Sequence, residues 1–145
     1  MATSSPPRHI VGVSLKMYFD LFNSIKYVQG VYQFDGLTWN ERVDFFVVLD
    51  FITILEAVRI LEYSYIILGA QDTFWKDDGP YTGEVSPRVL QQAGVKIVEI
   101  GHAERRAVFV ETDGRRLEPQ QGMVSSRLSA LASEHTTTLP QQQLE

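Results

Sequence analysis

The chain has 145 residues, 44% hydrophobic and 21% charged, an ordinary composition for a water-soluble domain long enough to bury a core. A formal net charge of −5 argues against the basic face that general nucleic-acid binding uses, and no apolar stretch nears the roughly 20 residues that span a bilayer. Zero cysteines remove disulfide and thiolate chemistry, and His9, His102 and His135 lack metal-ligand spacing, so no cofactor, nucleic-acid partner or membrane partner is expected and the cytosol is the expected compartment.

In chain order, residues 1–9 open with small, polar and proline-rich residues and predict a disordered lead. Ile10 to Val13 predicts a short buried strand, and Leu21, Ile25, Val28 and Tyr32 then follow a helical period that Gly30 weakens near its end. Asp35-Gly36 predicts a turn. The apolar run Val43 to Leu49, interrupted by Asp44, suits a strand buried on both faces. Ile54 to Leu61 predicts a second helix and Tyr65 to Leu68 a third strand.

A long polar loop follows, Gln71 to Glu84, with Gly79, Pro80 and Gly83 inside it. Ser86-Pro87 has the chemistry of a helix start, serine capping and proline at the first helical position. Val89 and Leu90 supply its apolar face and Gly94 its end. Lys96 to Ile100 is the fourth strand. The order βαβαβαβ implies a parallel sheet with right-handed crossovers.

The fourth strand closes on Gly101, and His102 then stands where a helix should begin. An imidazole over backbone N–H groups and the positive end of a helix dipole is favoured in its neutral form. As a neutral donor it could polarise a substrate oxygen.

Four stretches carry a resemblance to the triosephosphate isomerase family. They are Gly69-Ala70-Gln71-Asp72, Tyr81-Thr82-Gly83-Glu84-Val85-Ser86-Pro87, the run Gly101 to Arg106, and Glu111-Thr112-Asp113. Val13-Ser14-Leu15-Lys16-Met17 is a weaker match, standing where the family carries Gly-Asn-Trp-Lys-Met. The resemblance covers Ile10 to Asp113. It implies the N-terminal half of a (β/α)8 barrel, four parallel strands out of the eight that fill roughly 250 residues, over residues 10–113, with a divergent tail over 114–145.

The resemblance also implies a chemistry: aldose–ketose isomerisation of a small phosphorylated sugar. That reaction needs a carboxylate to move a proton between adjacent carbons, an electrophile at the carbonyl, and positive charge for phosphate and enediolate. The family is a standard example, dividing these tasks among a glutamate base, a neutral histidine and a closing loop. On this chain the resemblance gives His102 the electrophile role, Lys16 substrate binding and catalysis, and Glu104 the orientation of that lysine. Arg105 and Arg106 are expected to be structural ion-pair residues. Ser14 replaces the family's active-site asparagine as a shorter substrate contact, as in a branch thought to act on four-carbon sugar phosphates, and Ala103 replaces a common serine. Tyr81, Thr82, Gly83 and Glu84 match the loop by which family members form dimers, implying a homo-oligomer or pairing with a full-length relative.

The family's base lies on a later strand end in a Tyr-Glu-Pro context, and Glu118-Pro119 is only a superficial echo of it. The late glycine-rich phosphate loops have no counterpart either. Residues 114–122 are polar and turn-prone, Val124 to Ala132 could form a short helix, and residues 133–145 are low in complexity and predict disorder. The reading is of a truncated isomerase, through mis-splicing, frameshift or design, with little or no activity alone. The competing reading is a non-catalytic half-barrel that pairs with itself or with a full-length relative.

Overall fold

The computed structural model describes residues 9–38 and 43–110. The lead expected before His9, the Glu111-Thr112-Asp113 motif, Glu118-Pro119 and the tail lie outside the described residues.

Among the described residues eight elements alternate: β1 (His9–Ser14), α1 (Leu21–Thr38), β2 (Val43–Leu49), α2 (Ile54–Ile60), β3 (Ile67–Ala70), α3 (Pro87–Gln92), β4 (Ile97–Val98) and α4 (Ala103–Phe109). The strands pair in the order β1-β2-β3-β4, every neighbour parallel. This is the expected half-barrel. Its register runs from His9 against Val43 to Ser14 against Val48, then Phe46 against Ile67 to Leu49 against Ala70. Gly69 and Ala70 face Ile97 and Val98. The ladder of β4 is short, but Lys96 N donates to Leu68 O and Glu99 N to Ala70 O, each at 2.9 Å, so the extended backbone reaches Glu99.

Alternation of side chains sorts the strands into two faces. Val13, Phe45, Val47, Leu49, Leu68, Ala70 and Val98 point to the helix layer, where Val28, Ile54, Ala57, Leu61, Leu90 and Val95 complete the core. The opposite, concave face carries Gly12, Ser14, Phe46, Val48, Gly69 and, one step beyond Ile97, Glu99. Two of those residues are glycine because the face is crowded. A Cβ at Gly12 would overlap the Phe46 ring, and one at Gly69 would lie 2.9 Å from Val48 Cγ2.

Several expectations are corrected by packing. Asp35-Gly36 lies inside α1, and Gly30 near its middle. Asp35 makes no turn; its carboxylate accepts from Tyr65 N at 3.2 Å and ties the helix to the approach to β3. Leu21 and Tyr32 are exposed. The packed stripe is Ser24, Tyr27, Val28 and Val31, a true helical set hidden by the serine in it. Burial there pushes the Tyr27 phenol above its ordinary value. In β2 only Val47, Val48 and Leu49 are fully buried, so the strand is not covered on both faces along its whole length. The third strand begins later than expected and runs through Gly69 and Ala70.

The start of α3 is as expected: Ser86 Oγ accepts from Val89 N and Pro87 occupies the first turn. Of its two expected apolar residues only Leu90 is buried; Val89 is exposed and Pro87 takes its place. Gly94, at φ +95°, closes the helix as a left-handed cap. Val95 N donates to Leu90 O and Gly94 N to Gln91 O, while Val95 and Leu90 are both buried, the paired bonds and apolar contact of a Schellman motif.

Candidate active site

The C-terminal ends of parallel strands are where an α/β barrel gathers its chemistry. Here the ends of β1 and β4, the two outer strands of the sheet, supply the lysine and the histidine, while those of β2 and β3 supply Asp50 and Asp72. Beyond Ser14, Leu15 N still donates to Val48 O at 3.1 Å, and the buried Leu15 side chain joins the core. Lys16 then turns the chain with φ 53°, a left-handed conformation that a non-glycine residue adopts at a cost of about 1–3 kcal/mol. Gln71, just past β3, holds it there by donating from Nε2 to Lys16 O at 2.8 Å.

On the other side Gly101, at φ 74°, releases the chain from β4. His102 caps α4: its Nδ1 accepts from Glu104 N at 3.2 Å. With Nδ1 engaged by the helix backbone, Nε2 is the ring nitrogen left for other partners. That nitrogen stands against Lys16 Nζ. The expected electrophile and the expected lysine therefore meet.

Four carboxylates line the same cleft. Glu99 Oε1 lies 3.3 Å from Lys16 Nζ and 3.5 Å from His102 Nε2, and Ser14 Oγ donates to Glu99 Oε2 at 2.7 Å. Glu104 stands farther off, Oε2 4.0 Å from Lys16 Nζ and 3.4 Å from His102 Nδ1. Asp50 accepts from Ile52 N, Thr53 N and Thr53 Oγ1, capping the turn into α2. Asp72 pairs with Arg105 at 2.8 Å. Lys16, Glu99 and His102 keep 24%, 24% and 21% of their side-chain surface open, against 61% for Glu104. The first three thus form the sheltered part of the cluster, where charge interactions are screened least.

Together Lys16, Gln71, Asp72, Glu99, His102 and Glu104 line an open cleft of about 250 Å³, a size that suits a small polar molecule rather than a large one. Ser14, expected as a substrate contact, is not among the lining residues, and its hydroxyl faces Glu99. Arg105 stacks its guanidinium over Phe109 at 5.0 Å as well as pairing with Asp72, and Arg106 donates from Nε to Gly101 O at 3.0 Å. Arg105 lines the cleft as well.

The Tyr81–Glu84 loop stands apart from the cleft lining. Its base is pinned by Phe74 N donating to Val85 O at 2.9 Å and by the Tyr81 ring against Phe74 at 4.5 Å. Thr82, Gly83 and Glu84 are exposed. Sequence reasoning misses the part played by two residues of the cluster, Glu99 and Gln71. For Glu99 the available signal is a carboxylate inside an otherwise apolar strand end, Ile97-Val98-Glu99-Ile100. Such a group needs a partner when it is sheltered from water.

The family model described as triosephosphate isomerase matches residues 9–131. The chain belongs to the triosephosphate isomerase family. Among its relatives, triosephosphate isomerase of Thermoanaerobacter pseudethanolicus is 37% identical over 106 residues, covering 73% of this chain and 42% of that protein. L-erythrulose-1-phosphate isomerase of Pectobacterium atrosepticum is 41% identical over 106 residues, covering 71% and 41%. The enzyme of that name from Rhizobium etli is 39% identical over 103 residues, covering 71% and 38%. The chain spans less than half the length of these curated relatives. Among the described residues no helix is long and apolar enough to cross a membrane.

Proposed function

We propose that this chain carries the electrophilic half of a cytosolic sugar-phosphate aldose–ketose isomerase acting on a triose phosphate or a tetrulose phosphate. The observation that carries the reading is the meeting of Lys16 Nζ and His102 Nε2 at the mouth of the half-barrel. Relatives named for each substrate match it at similar identity, so the two substrates stand side by side in this proposal.

In this reading the substrate carbonyl oxygen enters the cleft and accepts from the Nε2 proton of His102. When water, or a base outside the cleft lining, removes a proton from the neighbouring carbon, the electron pair moves toward that oxygen and an enediolate forms. The Lys16 ammonium stabilises the developing negative charge and the substrate phosphate. Return of the proton to the other carbon completes the isomerisation. Glu104 keeps the ammonium oriented from the solvent side.

Every carboxylate lining the cleft already has a protein partner: Asp50 its helix turn, Asp72 Arg105, and Glu99 and Glu104 the lysine–histidine pair. None of these four acts as the proton-transfer base in our reading. Residues 9–110 by themselves then lack a contribution of about 10²–10⁴-fold. The Tyr81–Glu84 loop is proposed as a docking element between copies, supported by its exposed tip on a pinned base.

The test is turnover of glyceraldehyde 3-phosphate and of a tetrulose 1-phosphate by the 145-residue chain, with His102→Asn as control. We expect slow isomerisation of at least one substrate, abolished in the variant. Turnover that survives His102→Asn, or none in the wild-type chain even at high protein concentration, would overturn the reading.

A further inference from the structure

We infer that Glu99 is a positioning residue, which sets where Lys16 and His102 stand, and that Ser14 acts through Glu99 rather than on the substrate. The inference rests on the isomerase reading for its kinetic consequence, and on geometry alone for the arrangement.

Ser14 ends β1 and Glu99 follows β4, so the two come from opposite edges of a four-stranded sheet. The rung that starts at Ser14 continues through Val48 to Gly69. Between the outer strands it therefore carries one buried valine and one residue without a side chain. A Cβ at Gly69 would lie 2.9 Å from Val48 Cγ2, so the floor is already filled. Over this floor the Glu99 carboxylate meets the Ser14 hydroxyl at 2.7 Å.

Its other oxygen meets the reactive pair. Oε1 is 3.3 Å from Lys16 Nζ and 3.5 Å from His102 Nε2. The lysine ammonium has donors and no acceptor, so holding it beside the ring nitrogen needs an acceptor close by. Glu99 Oε1 is that acceptor. Glu104 is a weaker candidate for the same task, being 4.0 Å from Nζ and far more exposed. The lysine ammonium rides on a flexible four-carbon stem, and among the described residues Glu99 is the group at the strand ends placed to fix it beside the ring.

Ser14 completes the device. It has a single hydroxyl proton, directed to Glu99 Oε2, and its side chain does not line the cleft. What it does is anchor one carboxylate oxygen so that the other faces the lysine and histidine.

The experiment compares the wild-type chain with Glu99→Gln, Glu99→Asp and Ser14→Ala. One readout is the ¹⁵N spectrum of the His102 ring together with the Lys16 side-chain signals; the other is kcat and KM separately. Glu99→Gln keeps the shape and the serine bond but removes the charge. It should move the His102 Nε2 and Lys16 signals while backbone amides outside the site keep theirs. It should lower kcat about tenfold with KM within about twofold, as expected when a reacting group is misplaced while substrate affinity is preserved. Glu99→Asp should recover part of both effects. Ser14→Ala should repeat them in milder form.

Ring and lysine signals that stay put in Glu99→Gln and Ser14→Ala would overturn the inference. So would a raised KM at unchanged kcat in Ser14→Ala, the mark of a direct substrate contact. If the wild-type chain shows no turnover, the isomerase reading fails by itself and the spectra still decide the positioning. If Glu99→Gln does not fold, Ser14→Ala carries the same decision.

Discussion

Lys16 has a backbone conformation that side chains avoid and an ammonium held by neighbours from another strand. The φ of 53° persists because the amide of Gln71 donates to the lysine's own carbonyl. A hydrogen bond of this kind is worth about 1 kcal/mol net, the same order as the backbone strain it offsets. Gln71→Met keeps the volume and removes the donor. It should lower the unfolding free energy by about 1 kcal/mol in a urea titration; an unchanged midpoint would show that Lys16 is held by its side chain alone. Lys16, His102 and Glu104 are legible in the sequence because short family-like motifs surround them. Glu99 is not. It sits in a strand whose β-branched neighbours mark it as core, and nothing local in the chain says that Ser14, from the opposite edge of the sheet, will reach it.

At the scale of elements, local chemistry is readable where a side chain acts on its own backbone. Ser86, Pro87 and Gly94 bound α3 as their types demand. It fails where tertiary contacts decide. Asp35-Gly36 has turn chemistry, yet α1 runs through it because Asp35 finds a remote donor in Tyr65 N. The face of α3 is a similar case: its core stripe runs through Pro87 and Leu90, three residues apart, which leaves Val89 exposed. Leu90→Ala should therefore cost about 2–5 kcal/mol, while Val89→Ala should stay within about 0.5 kcal/mol. Equal losses in thermal unfolding would mean that α3 is rotated from the orientation described.

At the scale of the molecule, much apolar surface faces water. Val11, Phe22, Phe34, Ile52, Val108 and Phe109 are all exposed, and among the described residues β1 and β4 each have a strand neighbour on one side only. Unpaired strand edges beside apolar surface favour association, against which a net charge of −5 is a weak repulsion. Sedimentation velocity should show a coefficient that rises with protein concentration. Thr82→Arg should blunt that rise if the Tyr81–Glu84 loop is where copies meet and leave it alone if the strand edges are. A compact monomer at every concentration would dismiss both.

The concave face also constrains how this sequence can change over generations. The Phe46 ring lies where a Cβ on Gly12 would be, in the same rung of the β1–β2 ladder. A change at either position is felt at the other. A side chain added at Gly12 displaces the Phe46 ring unless that residue is already smaller, and a smaller residue in place of Phe46 leaves a gap that invites growth at Gly12. Distant along the chain, the two sites form one heritable unit. A lineage that altered either would pass through a less stable ancestor or change both together.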